Sequence, residues 1–405
     1  MEATKRGRVG THHEASPTKL PYLPQEVITE ILLRSHARSL GRFRCVSKPF
    51  HSLLSDPKFA KKHLDHNAVR LGHRRLILPF NNLFAVDLDS IRDGCEGIKD
   101  LTAVELDYPL KEDVDFLSEL YKKAELKSNS DGIHSSGKYK KRWVRFFGSS
   151  NGLLCMANIL LLNDVFLYNP TTGESKKLPD LPESLRSKST KTLFSYGFGF
   201  DSLNNDFKVV KFIDGNDNYV YSLKTDSWRR ICNMPYKDVC FFTSVELNGA
   251  IHWISIPRRG ETSQKVVTAF DLTTEKFRVM SLPDLAEECE HIYPKSKVGI
   301  LKGRLCVVYF CMKIHDVIWV MNEYGLESSW SKIRISRSYK HMKPLCSTEN
   351  NEEVLLVLDG HLVLYNFERN TRKNLKIRGV EFDKSLLGNT YVESLISPNS
   401  YVIER

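Results

Sequence analysis

Near the start of the chain, apolar residues recur at helical spacing. Val27, Ile28, Ile31 and Leu32 fall at i, i+1, i+4 and i+5, one stripe about 100° wide, while Glu30 and Arg34 form an i, i+4 pair on another face. Pro24 stands where a first helical residue has no intrahelical partner for its N–H, and Gln25 and Glu26 follow in the positive first turn. A helix is expected to start there. Ser39 is the candidate N-cap of a second helix carrying Leu40, Phe43, Val46 and Phe50, and Asp56 is the candidate cap of a third that Pro57 opens. Three short helices over residues 20–66 bury little surface, so the module is expected to dock on something. Residues 1–19 are polar and aperiodic and are expected to form a disordered basic tail.

From Arg74 onward the texture changes to short apolar runs broken by turn residues, and these runs repeat. A strand ending in a turn recurs as Phe166-Leu-Tyr-Asn-Pro-Thr-Thr-Gly, Tyr219-Val-Tyr-Ser-Leu-Lys-Thr-Asp, Thr268-Ala-Phe-Asp-Leu-Thr-Thr-Glu, Ile318-Trp-Val-Met-Asn-Glu-Tyr-Gly and Val363-Leu-Tyr-Asn-Phe-Glu-Arg-Asn. Aligned on Tyr168, Tyr221, Phe270, Met321 and Tyr365, the intervals are 53, 49, 51 and 44 residues. A period of that length with strand content predicts a propeller-type array. A second element is a two-residue turn before an alternating run: Asn151-Gly, Asn248-Gly, Lys302-Gly and Asp359-Gly. Asn-Gly and Asp-Gly supply the positive φ of a tight hairpin, so each unit is a small antiparallel meander.

One meander cannot cover both of its own faces, and closing a ring leaves only short edges. Leu83-Phe-Ala-Val-Asp reads as a degenerate first unit and Tyr391-Val-Glu-Ser-Leu as a last strand that pairs back to it. The fold class is α+β multidomain: a three-helix module followed by an all-β propeller of about six blades over residues 74–397. Residues 110–145 interrupt the period and are expected to form a short helix and a loop insertion.

Composition narrows the function classes. The 41% apolar fraction of this 405-residue chain supports a real core. Nine cysteines, without a C-x-x-C pair, read as reduced and mostly buried, in a cytoplasmic or nuclear protein. No secretory h-region stands at the N-terminus, and no apolar run approaches the length of a membrane span. The formal charge is +10, and residues 1–66 hold 12 Lys/Arg against 6 Asp/Glu. The basic residues are spread over helices instead of clustering with aromatics, which favours an acidic protein partner over nucleic acid.

The chemistry of known catalytic motifs is missing from the pattern. No G-x-S-x-G elbow, phosphate-binding loop or H-E-x-x-H pair occurs at a strand-to-helix junction. Gly197-Phe-Gly lies between strands and reads as close backbone packing. Cys289 and His291 with Cys306 or Cys311 would make an incomplete zinc set, and His252 alternates with apolar residues as a structural histidine does. The expected site therefore has no catalytic residue, no metal and no cofactor. A kelch-like propeller enzyme and a free-standing interaction scaffold are the competing classes.

Two resemblances add to this reading. Leu-Pro-x-Glu-Val-x-x-Glu-Ile-Leu at 23–32, followed by Ser-Leu-x-Arg-Phe-Arg-Cys-Val-Ser-Lys at 39–48, resembles an F-box, the motif that binds the Skp-family adaptor of cullin ubiquitin ligases. Runs such as F-G-S-S-N-G-L, Y-N-P-T-T-G-E, Y-G-F-G-F-D-S, N-G-A-I-H-W-I and F-D-L-T-T-E-K-F resemble the plant F-box-associated, kelch-like interaction domain, and are similar to the branch that includes the constitutive expresser of pathogenesis-related genes. The resemblance implies a substrate receptor of a ubiquitin ligase, with a role in plant defence, that contacts the adaptor through Leu23, Pro24, Ile31, Leu32, Leu40 and Val46. Substrate-binding residues are unknown; polarity and length point to the loops 214–218 and 258–264.

Overall fold

The computed structural model describes residues 23–67, 74–79, 82–88, 91, 100–111, 144–158, 164–185, 194–213, 217–232, 238–239, 244–256, 265–283, 295–310, 317–335, 339, 341–348, 350–379 and 388–400. The expected tail at 1–19 lies outside them, as does nearly all of the insertion at 110–145. Four helices open the described chain: α1 (Gln25–Leu33), α2 (Ala37–Phe43), α3 (Lys48–Ser55) and α4 (Pro57–Asn67). No described helix is long and apolar enough to cross a membrane.

The single second helix expected from Leu40 to Phe50 is two helices. Pro49 has no N–H, and its ring would clash with the carbonyl four residues back in a continuous helix, so the chain breaks at Cys45–Val46 and restarts. Ser47, not Ser39, is the cap: its hydroxyl accepts from Phe50 N–H at 3.4 Å, and Pro49 falls in the first turn, where a missing donor costs nothing. Pro24 likewise sits one position earlier than expected, as the N-cap of α1. At α4 the Asp56 carboxylate accepts from Lys58 N–H at 2.9 Å, next to Pro57, as the sequence suggested.

The remaining chain forms six antiparallel blades. Blade 1 holds β1 (Arg74–Pro79), β2 (Leu83–Asp87) and β3 (Leu101–Glu105); blade 2 holds β4 (Val144–Ser150), β5 (Leu153–Asn158), β6 (Val165–Tyr168) and β7 (Ser175–Lys177). Blade 3 holds β8 (Phe194–Asp201), β9 (Asp206–Ile213), β10 (Asp217–Ser222) and β11 (Ser227–Ile231). In blade 4, β12 (Asp238–Val239) and β13 (Val245–Leu247) share the edge of β14 (Ala250–Ile256), followed by β15 (Val266–Asp271) and β16 (Phe277–Ser281). Blade 5 holds β17 (Lys295–Leu301), β18 (Arg304–Phe310), β19 (Val317–Met321) and β20 (Trp330–Arg334). Blade 6 holds β21 (Met342–Ser347), β22 (Glu353–Leu358), β23 (His361–Asn366) and β24 (Thr371–Leu375).

Two late strands return to blade 1. The short β25 (Ile377–Arg378) adds in parallel to the outer edge of β3, and β26 (Asn389–Val392) pairs antiparallel with β1, Tyr391 opposite Arg75. Innermost strands β26, β4, β8, β13, β17 and β21 succeed one another around the axis, and β21 meets β26 again. The ring is therefore closed by a strand remote in sequence, which covers the edge of β1 that would otherwise stand open.

The repeated turns have the predicted geometry. Asn151, Asn248, Lys302 and Asp359 stand at φ of 48°, 51°, 48° and 49°, each followed by a glycine with φ above 70°. Gly197 faces blade 4 so closely that a Cβ there would lie 2.2 Å from Trp253 Cζ2. Backbone packing accounts for it. Between the blades lie successive apolar cores, such as Phe212, Trp253 and Phe270 between blades 3 and 4.

Candidate functional site

The helical module divides its apolar residues between two sides. Leu32 (4% exposed), Leu33, Ala37, Leu40 (0%), Leu54, Phe59 and Leu64 join Leu153, Leu167, Leu395 and Ile396 of the ring in one core. Leu23, Val27, Ile31, Phe43 and Val46 remain between 40% and 67% exposed, and Pro24 is exposed beside them. Of the six adaptor residues expected from sequence, Leu23, Pro24, Ile31 and Val46 thus stand in solvent, and Leu32 and Leu40 are inside. Val27 and Phe43 were not singled out, although Val27 lies one turn from both Leu23 and Ile31. Pattern alone did not separate the outward side of the stripe, Val27 and Ile31, from the inward side, Ile28 and Leu32.

Polar contacts fix the module to one end of the ring. Arg44 Nη1 reaches Glu174 Oε1 at 3.1 Å, while its Nη2 donates to the carbonyls of Leu54 at 3.0 Å and Leu395 at 3.3 Å. Lys61 Nζ donates to Asn205 Oδ1 at 3.3 Å. Beneath them, Asn169 Nδ2 donates to Ser394 O at 3.0 Å and Ile396 O at 2.8 Å, and the Ser397 hydroxyl bonds Glu174. Residues 394–397 thus lie between module and blade 2. Within the module, Asn67 Nδ2 ties α4 to the end of α1 through Leu33 O at 2.9 Å. His63 Nε2 meets Ser35 O at 2.8 Å, and burial lowers its pKa.

This docking defines two ends of the ring. In a four-stranded antiparallel blade, the turns joining strands one to two and three to four share one end; the loops joining two to three, and blade to blade, share the other. Glu174, Asn205 and the segment after β26 all belong to the first end. The loops 214–218 and 258–264, which join strands two and three of blades 3 and 4, leave from the opposite end. Residues 214–216 and 258–264 themselves lie outside the described residues.

Closure is locked by charge. Arg75 on β1 is 6% exposed and Glu393 after β26 2%; Arg75 Nε meets Glu393 Oε1 at 2.8 Å, and its Nη1 bonds Asp87. Burial works against the guanidinium charge, but the bonds to Asp87 and Glu393 outweigh it and raise the Arg75 pKa. Removing one partner would leave a buried charge uncompensated.

Along the axis runs a channel of about 630 Å³ bounded by β4, β13, β17, β21 and β26. Arg74, Lys297, Lys302 and Lys343 contribute to its wall; among the described lining residues Glu246 is the one carboxylate. Glu246 Oε1 accepts from Phe200 N–H at 2.9 Å. Burial pushes this carboxyl up to about 7, with hydrogen bonds from Ser150 and Phe200 acting the other way. Lys343 Nζ donates to Gly388 O at 2.8 Å and to Asn389 Oδ1. Burial first, and then the like charge of Lys297, lowers the Lys343 pKa to about 7.

The histidine and thiols singled out in the sequence are inside the blades where they are described. His252 is buried, with Nε2 2.8 Å from the Tyr324 hydroxyl and Nδ1 3.3 Å from Val245 O, and burial lowers its pKa to about 4. Cys155 and Cys306 are buried thiols whose pKa burial raises. Among the described residues no cluster of three or more His, Cys, Asp or Glu could hold a metal; Cys289, His291 and Cys311 lie outside them.

Comparison with known proteins bears on both parts. The family described as F-box domain matches residues 20–62, and the one described as F-box associated beta propeller domain matches residues 110–400. Strands β1 to β3 precede the second match and still belong to the ring. The chain is 27% identical to F-box protein CPR1 of Arabidopsis thaliana over 88% of this chain and 84% of that one. It is 26% identical to F-box protein At4g22390 of the same plant, covering 92% and 90%, and 25% identical to its F-box/kelch-repeat protein At3g23880, covering 93% and 96%.

Proposed function

The chain belongs to the F-box proteins that carry an F-box associated beta propeller domain, and from that premise we propose that it is the substrate-recognition subunit of a cullin-based SCF-type ubiquitin ligase. Its helices hold a Skp-family adaptor, and through it the cullin; its ring holds a protein to be ubiquitinated and degraded. The substrate is an immune regulator in the cytoplasm or nucleus, a reading supported by the sequence branch the chain resembles.

The observation that carries this reading is the two-sided module. Leu32, Leu40 and Leu54 are used up in the core shared with the ring, yet Leu23, Val27, Ile31, Phe43 and Val46 remain exposed. Large apolar side chains that a domain leaves in solvent are the material of an interface. Leu32 and Leu40 serve the adaptor indirectly, by fixing the helices that present the exposed set.

The mechanism is proximity. Two binding events on one rigid body turn a bimolecular encounter between substrate lysine and ubiquitin-charged enzyme into an effectively intramolecular one. Because the helices sit at the end of the ring that carries Glu174 and Asn205, the opposite end is the one free for substrate. The receptor itself forms no bond and moves no proton.

Co-expression with a Skp-type adaptor tests the assignment. The Leu23→Ala/Pro24→Ala variant is expected to lose adaptor co-purification while its thermal midpoint stays unchanged. Full retention of adaptor by that variant would overturn the reading.

A further inference from the structure

Between two exposed apolar residues of the module stands a side chain that points the other way. Phe43 and Val46 are in solvent, whereas Arg44, the C-cap of α2, carries its guanidinium into the seam with the ring. Three elements supply its acceptors: Leu54 O in the last turn of α3, Glu174 Oε1 on blade 2, and Leu395 O in the segment after β26. Carbonyls of a last helical turn lack an intrahelical partner, so the cation both satisfies Leu54 O and faces the negative end of α3.

The acceptors on the ring side are themselves held. Fully buried Asn169 donates to the carbonyls of Ser394 and Ile396, so the Leu395 carbonyl between them is fixed where Arg44 meets it. In the turn that carries Glu174, Asn169 Oδ1 accepts from Thr171 N–H at 2.8 Å, Asn169 N–H donates to Glu174 O at 2.9 Å, and the Ser397 hydroxyl bonds the Glu174 carboxylate. Apolar burial holds helices and ring together without choosing an angle, because it depends on area and not on direction. Beside Arg44 the seam also contains a cavity of about 180 Å³, lined by Arg44, Ser55, Pro57, Glu174 and Ser397 among others. A planar guanidinium bonded to three fixed acceptors, by contrast, defines an orientation.

We propose that Arg44 is the positioning residue of the receptor: it sets the angle at which the helices hold the adaptor over the ring, and with it the reach of ubiquitin transfer. This rests on the ligase reading of the chain. Phe43 precedes Arg44 directly, so a tilt of the helices about the seam is passed to the adaptor-binding side without an intervening element. Transfer by proximity depends on how narrowly the two held partners are arranged, and a loosened arrangement lowers effective molarity while both binding surfaces stay intact. Lys61, whose Nζ meets Asn205 Oδ1 at 3.3 Å, is a single contact at the end of a flexible stem and adds little to the angle.

Two measurements on the full chain co-expressed with a Skp-type adaptor test this. Spin labels on ketone-bearing residues introduced at Lys62 on α4 and at Lys276 before β16, both exposed, report the distance from helices to ring. Arg44→Met is expected to widen the distance distribution about twofold, and Arg44→Lys nearly as much, since an ammonium lacks the planar fork. Adaptor affinity should stay within about twofold, as it does for a residue outside the interface. In the unlabelled chain assembled with cullin and ubiquitin-charged enzyme, the receptor's own exposed lysines, among them Lys177, Lys276 and Lys373 on three different blades, are the acceptors read by mass spectrometry. The intact chain should modify a confined set. Arg44→Met should lower the rate at those lysines about tenfold at saturating charged enzyme, with the KM for that enzyme unchanged, and spread modification to other blades. An unchanged distance distribution or an unchanged lysine pattern overturns the proposal, as does loss of adaptor binding, which would make Arg44 an adaptor contact. Should Arg44→Met fail to fold, Glu174→Gln decides in its place and is expected to move both readouts in the same direction. If no lysine of the intact chain is modified, the ligase reading falls, while the distance distribution still decides whether Arg44 sets the angle.

Discussion

The helical module and the blades treat the same kind of side chain in opposite ways. Blade strands bury nearly every large apolar residue: Trp253, Phe207, Phe270 and Tyr221 are all 0% exposed, each between neighbours from adjoining strands. The module leaves five large apolar residues in solvent, three on its short helices and Leu23 and Val46 beside them. The difference teaches that exposure here is not poor packing. The module has a well-made core, side-chain caps at the starts of α3 and α4 and a buried Asn67 link, and still presents apolar surface on its outer side.

Substitutions should separate the two treatments by size of effect. Trp253→Ala removes a fully buried indole packed edge-on to Phe212 at 4.7 Å and against Gly197, and is expected to cost about 3–5 kcal/mol, read by denaturant unfolding. A shift within about 0.5 kcal/mol would mean the blade core tolerates loss as a surface does.

Next in size is acid. The folded-state pKa of His252 is about 4 against 6.5 for the free side chain, so the unfolded chain takes up the proton first. Stability should fall as pH drops from 6.5 towards 4, by about 3 kcal/mol in total. Glu246 acts with the opposite sign between the free side chain's 4.5 and about 7, because there the native state holds the proton more strongly. Comparing wild type with His252→Gln isolates the histidine: the variant should show the flatter acid slope, and parallel slopes would refute its role.

Smaller still is the joint between the regions. Arg44→Ala is expected to cost about 1–2 kcal/mol and to make the helices more susceptible to proteolysis than the blades. A double-mutant cycle with Glu174→Gln should give a coupling of about 0.5–1 kcal/mol. The smallest change in stability belongs to Val27→Ser with Val46→Ser, within about 0.5 kcal/mol, although adaptor binding should drop sharply. A large loss of stability there would place those side chains in the fold's own core.

What the sequence made legible was what local chemistry decides. Asn151-Gly, Asn248-Gly and Asp359-Gly announce positive φ because few other pairs adopt it, and Tyr391 marked a closing strand because its alternation continued after the last full repeat. Pro49 carried the break in the second helix as plainly, but the periodicity of Leu40, Phe43, Val46 and Phe50 outweighed it. Contacts across the ring were beyond reach. Arg75 and Glu393 are 318 positions apart and Lys343 and Asn389 46, and neither residue of either pair carries a local mark of its partner.

Residues 389–397 provide both the strand that closes the ring and the segment wedged under the helices. They leave the ribosome after everything they bind. Until then β1 has an open edge, Arg75 lacks Glu393 and Arg44 lacks the Leu395 carbonyl, so a prematurely terminated chain would carry the helices with neither a finished ring nor a fixed bearing on it. Assembly of helices and ring into one body is thereby made conditional on translation reaching residues 389–397.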